Sequence, residues 1–184
     1  MRTPLISLMT AAALVAFGAP ALAQSRPATP PTAGPLNPDS FYRGTWYEQA
    51  RTPTSLTRGC EYATTEHGRD AAGRITVRDA CRQDGPQGRE RALSGIGTLQ
   101  DPGQNAALKV RYRFGPFRPS REYRIIAAGP QGEWHISSEP AFDKVYIFTR
   151  AVAPPQAEVE ALIGRVRALG YAGEIEILAT PGRD

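Results

Sequence analysis

An antiparallel β-barrel or sandwich is the fold class this sequence predicts, on three observations. From Thr45 onward, short runs alternate apolar and polar residues, the period of a strand with one buried face. Turn-forming residues break these runs at fairly regular spacing, as hairpin connections do. Only one long stretch has helical spacing. In QAEVEALIGRVRALG, after Pro154 and Pro155, residues Val159, Leu162, Ile163, Val166 and Leu169 form an apolar stripe, and Gly170 supplies a stop. A single amphipathic helix late in an all-β chain must lay that stripe on the outside of the sheet.

The chain begins MRTPLISLMTAAALVAFGAPALA: one arginine, an apolar run from Leu5 to Phe17, then small residues. This is the pattern of a secretory signal peptide, residues 1–23, cleaved after Ala23. The apolar run is shorter than the roughly 20 residues that span a bilayer. No cysteine stands at the cleavage point, so a soluble exported protein without a lipid anchor is expected. Cleavage leaves 161 of 184 residues, enough for one domain with its own core, and lowers the formal charge from +4 to +3. The basic residues are dispersed among acids, which argues against a nucleic-acid partner. Residues 24–38, QSRPATPPTAGPLNP, hold five prolines and almost no large apolar side chain, and read as a flexible linker.

Strands are predicted over 46–51, 61–67, 74–81, 91–100, 107–114, 121–128, 133–138, 144–150 and 174–178. In ALKVRYRF, Leu108, Val110, Tyr112 and Phe114 alternate with Lys109, Arg111 and Arg113. In REYRIIAA, Tyr123 and Ile125 share a face, with Arg121 at the strand start. A hairpin across GPFRPS sets Tyr112 opposite Tyr123 and Val110 opposite Ile125; a one-residue slip would turn the arginines inward. Asp101, Pro102 and Gly103 suit a type II turn.

The chain has two cysteines. Centring the hairpin around RDAAG between Asp70 and Ala71 places Cys60 directly opposite Cys81. In an exported chain this spacing predicts a disulfide. A zinc site would need both histidines, His67 and His135, as further ligands, and no metal site is expected. Neither histidine has a nucleophile or acid held beside it by the sequence, so both read as surface or wall residues. Strand alternation separates Glu48 from Arg51, so the two are not expected to act together. No catalytic residue and no cofactor is predicted.

GTWYEQAR at 44–51, ALKVRYRFGPF, REYRIIAA, KVYIFTR, then a helix and a short strand, resemble in order and spacing the lipocalin family. The resemblance is strongest to the bacterial lipocalins of the cell envelope and covers residues 38–181. It implies that residues 39–184 form a lipocalin (calycin) domain: an eight-stranded antiparallel up-and-down barrel, open at one end, with one C-terminal α-helix packed outside. It also implies that Gly44 and Trp46 close the barrel floor and that Arg150 stacks on Trp46. GPQGEW replaces the family's aspartate-tyrosine motif, and Tyr146 stands where relatives often have a second tryptophan.

The apolar face then becomes a ligand-binding wall of Val110, Tyr112, Phe114, Tyr123, Ile125, Tyr146 and Phe148, with Arg121 placed to meet a carboxylate or phosphate. The implied function is that of a periplasmic carrier of a small hydrophobic or amphipathic ligand, a fatty acid or lysophospholipid, in envelope lipid storage, transport or repair. Transient contact with the envelope membrane goes with it. The alternatives are a lipocalin-like enzyme acting on a lipid or pigment, and a structural barrel with a filled core.

Overall fold

The computed structural model describes residues 28–180 and 182–183. The expected signal peptide and residues 24–27 lie outside them. The elements are α1 (Pro38–Phe41), β1 (Gly44–Arg51), β2 (Tyr62–Arg69), β3 (Ile75–Arg82), β4 (Glu90–Leu99), β5 (Ala107–Arg113), β6 (Ser120–Ala128), β7 (Trp134–Ser138), β8 (Val145–Thr149), α2 (Gln156–Ala168) and β9 (Glu176–Ile177). Strands β1 to β8 pair antiparallel with their sequence neighbours, and β8 pairs with β1, so the sheet closes. The result is an eight-stranded up-and-down barrel with β9 added against the far end of β1.

Alternation splits the core in two. Inward-facing Trp46, Ile75, Val77, Leu108, Val110, Tyr112 and Ile125 form one cluster with Phe41 and Tyr42. Outward-facing Ala50, Ile136, Val145 and Ile147 meet Val159, Leu162 and Val166 of α2 in the other. The helical stripe thus covers a wall whose outer face is apolar; Leu169, at its end, is exposed.

The floor lies where β1 begins. Arg150 Cζ sits 3.5 Å from the centre of the Trp46 ring. Its two terminal nitrogens donate to the carbonyls of Arg43, Thr45, Ser40 and Phe41. Trp46 Nε1 donates to the Phe41 carbonyl as well. One guanidinium therefore ties the end of β8 to the carbonyl end of α1 and the start of β1.

Three sequence expectations are corrected. The described part of the proline-rich segment, residues 28–38, is laid along the barrel, from the β7–β8 connection past β6 to the floor, rather than free. Ala33 N–H donates to Ile125 O, Leu36 N–H to Gln104 O, and Thr29 Oγ1 to Pro140 O. Ala33 and Leu36 supply the apolar contact that composition alone did not credit. The β5–β6 register also differs: Val110 faces Arg121 and Leu108 faces Tyr123. The turn is tighter than GPFRPS suggests, because Gly115 takes φ +55° and Pro116 follows, the two-residue form with glycine first. Phe114 and Phe117 then exchange both backbone hydrogen bonds. In the β2–β3 hairpin, Ala63 rather than Cys60 faces Cys81. The Asp70 carboxylate accepts from the Ala72 and Arg74 N–H groups, making a five-residue loop. The disulfide Cys60–Cys81 nevertheless forms, with Cα atoms 5.4 Å apart, because Cys60 precedes β2 and is free of its register.

Candidate functional site

The lower half of the barrel is solid. Gly95 and Gly97 of β4 face inward, and a Cβ there would fall 2.8 Å from Val110 Cγ1 and 2.9 Å from Leu108 Cδ1. The missing side chains are replaced by those of β5. Phe148 stacks on His135, whose edge meets Trp46. His67, expected at the surface or wall, is buried against Tyr42. Both histidines keep a buried Nδ1 without a hydrogen-bond partner among the described residues. Burial lowers the His67 pKa to about 4, helped by Arg150 and Arg69, and carries His135 well below its ordinary range.

The upper half is an open cup in which inward-facing Asp79, Tyr123 and Tyr146 are only half-buried and Leu93 is exposed. Its floor is Asp79, next in the inward alternation after Ile75 and Val77. Tyr112 Oη donates to Asp79 Oδ2 at 2.5 Å, and Thr65 Oγ1 donates to Oδ1 at 2.7 Å. Tyr112 and Tyr123 hydroxyls are 3.1 Å apart, and Tyr123 meets Tyr146 edge to face. Arg121 Nη1 donates to Glu139 Oε1 at 3.0 Å, and Tyr146 Oη donates to the same oxygen. Burial raises the pKa of Asp79 against its two hydroxyl donors and Arg121. Burial likewise raises all three phenols, so they stay protonated donors. Leu93 is inward-facing and 37% exposed, the apolar side of the cup.

Above β1 lies a second polar group, whose geometry reverses the expectation that Glu48 and Arg51 face apart. A bulge between Glu48 and Ala50 adds one residue, so both point inward. Arg51 Nη1 donates to Glu48 Oε2 at 3.1 Å and Nε donates to Glu176 Oε1 at 2.6 Å. Its remaining nitrogen donates to the carbonyls of Cys60 and Thr57. Arg51 is almost fully buried and joins β1, β9 and the disulfide-bearing loop. Burial pushes the Glu48 carboxyl up to about 7 despite Arg51 beside it. The arrangement braces one side of the cup.

Of the expected wall residues, Tyr112, Arg121, Tyr123 and Tyr146 meet in the cup. Val110, Ile125 and Phe148 face inward too, but into the filled half, where a residue's depth in the barrel overrides its face. Phe114 is 62% exposed at the hairpin tip, because the tight turn ends β5 before it. Asp79 went unpredicted, although an aspartate on the apolar face of a strand was its visible signal. Glu48 and Arg51 had none, since a bulge leaves no mark in the alternation.

Both cysteines are held in the disulfide, so neither offers a thiolate. Among the described residues, no group of three or more acids, histidines or cysteines is gathered to hold a metal ion. No described helix is long and apolar enough to cross a membrane.

Residues 40–179 match the family described as Lipocalin-like domain. A protein of Acanthamoeba polyphaga mimivirus that carries a lipocalin name, R877, is 30% identical over 114 residues, which are 52% of this chain and 63% of that protein. The match thus spans less than two thirds of that relative's length. Among solved structures, insecticyanin from the tobacco hornworm Manduca sexta superposes with a TM-score of 0.58 at 14% identity, over 83% of this chain and 86% of that one. The amine binding protein of Rhodnius prolixus, solved as its tryptamine complex, gives 0.57 at 16% identity, over 77% and 81%. At such identities the shared property is the fold.

Proposed function

The chain belongs to the lipocalin family, and on that premise we propose that it binds and carries a small amphipathic molecule in the open half of its barrel. The observation that carries this reading is the cup itself: Asp79, Tyr112, Tyr123 and Arg121 at its polar floor and wall, with Leu93 on its apolar side. Convergent polar groups orient a ligand by its head, while burial of its apolar part against Leu93 and the tyrosine rings adds affinity, at about 25 cal/mol per Å². Fatty acids and lysophospholipids are the classes proposed. Having an acid and a guanidinium in one cup favours the zwitterionic lysophospholipid: its phosphate would exchange with Glu139 at Arg121, and its ammonium would face Asp79. The filled lower half limits the depth available, so an acyl chain would run toward the mouth.

A second reading is an organic amine as ligand. Among the described residues Asp79 accepts from two hydroxyls and from no cationic side chain, and three phenols stand nearby. Binding, not catalysis, is the activity proposed, in a bacterial periplasm after cleavage behind Ala23. The disulfide fits an exported protein. Native mass spectrometry with a lysophosphatidylethanolamine, a fatty acid and tryptamine, repeated on Asp79→Asn and Arg121→Gln, tests the assignment. Lysophospholipid binding weakened by both substitutions is expected. Amine binding lost with Asp79→Asn alone selects the second reading, and no binding of any of the three refutes both.

A further inference from the structure

The open rim carries apolar side chains that no described residue covers. Phe114 and Phe117 flank the Gly115–Pro116 turn at 62% and 67% exposure, and Leu56, in the β1–β2 loop, is 68% exposed. Strand order fixes where these two tips stand. In a closed ring of eight, the β1–β2 and β5–β6 connections lie diametrically opposite, and both lie at the mouth. Two apolar points across an opening define a plane over it. A flat partner can engage both at once.

The charge around the larger tip indicates what that partner carries. Arg113 and Arg118 bracket the two phenylalanines, and Lys109 and Arg111 continue the row along the outer face of β5. Among the described residues none of these four cations is within ion-pair distance of a carboxylate, whereas Arg78 and Arg82 of β3 and Arg124 of β6 are all paired. An unpaired cationic row ending in exposed aromatics suits a surface that is anionic at headgroup level and apolar beneath.

We propose that the barrel docks mouth-first on a bilayer bearing anionic headgroups. Phe114, Phe117 and Leu56 enter the interface, and Arg113 and Arg118, with Lys109 and Arg111 behind them, meet phosphates. This goes beyond the ligand reading and does not depend on it, since the rim contact involves no side chain of the cup floor. The two are functionally compatible, because a mouth held against a membrane exchanges an amphiphile without exposing its chain to water.

Sedimentation with vesicles of phosphatidylcholine alone and of phosphatidylcholine with 30% phosphatidylglycerol tests the docking. Expected is binding to the mixed vesicles that weakens with salt, falls about fivefold for each of Arg113→Gln and Arg118→Gln, and falls at least tenfold in Phe114→Ser/Phe117→Ser. Leu56→Ser, on the opposite tip, should weaken it separately. Arg43→Gln, an exposed arginine at the closed end, should leave it unchanged. Absence of vesicle binding overturns the proposal, as does equal binding by the phenylalanine variant with unchanged circular dichroism. A dimer in sedimentation velocity that the phenylalanine variant abolishes, without vesicle binding, assigns the tip to a second copy and overturns it too. Ligand titration of the same variants separates the proposals: docking can fail while the cup still binds.

Discussion

Replacing Arg150 with alanine should destabilise the protein without altering its ligand preference. The guanidinium lies 3.5 Å from the centre of the Trp46 ring, a cation-π contact worth about 1 kcal/mol at a half-buried site. It also donates to four backbone carbonyls, those of Arg43, Thr45, Ser40 and Phe41. These carbonyls are near enough to solvent to rehydrate, so the lower end of the usual range, about 0.5 kcal/mol each, is appropriate. The sum is about 3 kcal/mol, and for a domain of this size it corresponds to a fall in Tm of about 6 to 12 °C. Arg150→Lys keeps the charge but loses the fork, and should fall between. Thermal unfolding by far-ultraviolet circular dichroism reads the first effect, and fluorescent-ligand displacement shows that affinity is retained. A Tm shift under about 2 °C, or a tenfold affinity loss at unchanged Tm, would refute the assignment of Arg150 to the floor.

The remaining predictions concern the cup, the buried acid and histidines, and the disulfide. Tyr112→Phe removes the Asp79 donor and should weaken ligand binding about tenfold, near 1.4 kcal/mol, with Tm within about 2 °C of the parent; titration calorimetry checks it. His67 has a folded pKa of about 4, below its unfolded 6.5, so its contribution is present above pH 6.5 and lost as pH falls toward 4, by about 3 kcal/mol. Glu48, raised to about 7 from 4.5, contributes in the opposite sense: its share is present below pH 4.5 and lost as pH rises through 7. The two slopes oppose each other, so urea unfolding at pH 4.5 and 7 should show Glu48→Gln losing stability on acidification and His67→Gln gaining it, relative to the parent. Parallel slopes in all three proteins would contradict this. Cys60→Ser/Cys81→Ser opens a loop of 21-residue separation and should cost about 3 kcal/mol in the same assay.

Much of the fold was legible because period-two patterning survives any partner: each expected strand appears within about two residues of its place, and α2 lays its stripe on the outside of the sheet as expected. The site was less legible. Tyr112, Tyr123, Tyr146 and Arg121 meet in the cup, on the inward face where the alternation put them, yet Val110, Ile125 and Phe148 share that face and serve the packed floor instead. Phe114 left the wall because one glycine with positive φ shortened the hairpin.

From the sequence alone came the all-β class, the inward faces of β5 and β6, the cysteine pairing and the Trp46–Arg150 partnership implied by the family pattern. These depend on alternation, on composition and on motif order, all of which are local or additive along the chain. Only the tertiary structure decided the hairpin registers, the bulge that turns Glu48 and Arg51 to one side, the docking of residues 28–38, and the division of the barrel into a filled floor and a polar cup. The physical reason is that depth along a barrel is set by which residues of distant strands lie side by side. Gly95 and Gly97 make room for Val110 and Leu108, whereas Asp79 draws Tyr112 and Thr65 to itself, and no single strand carries that information.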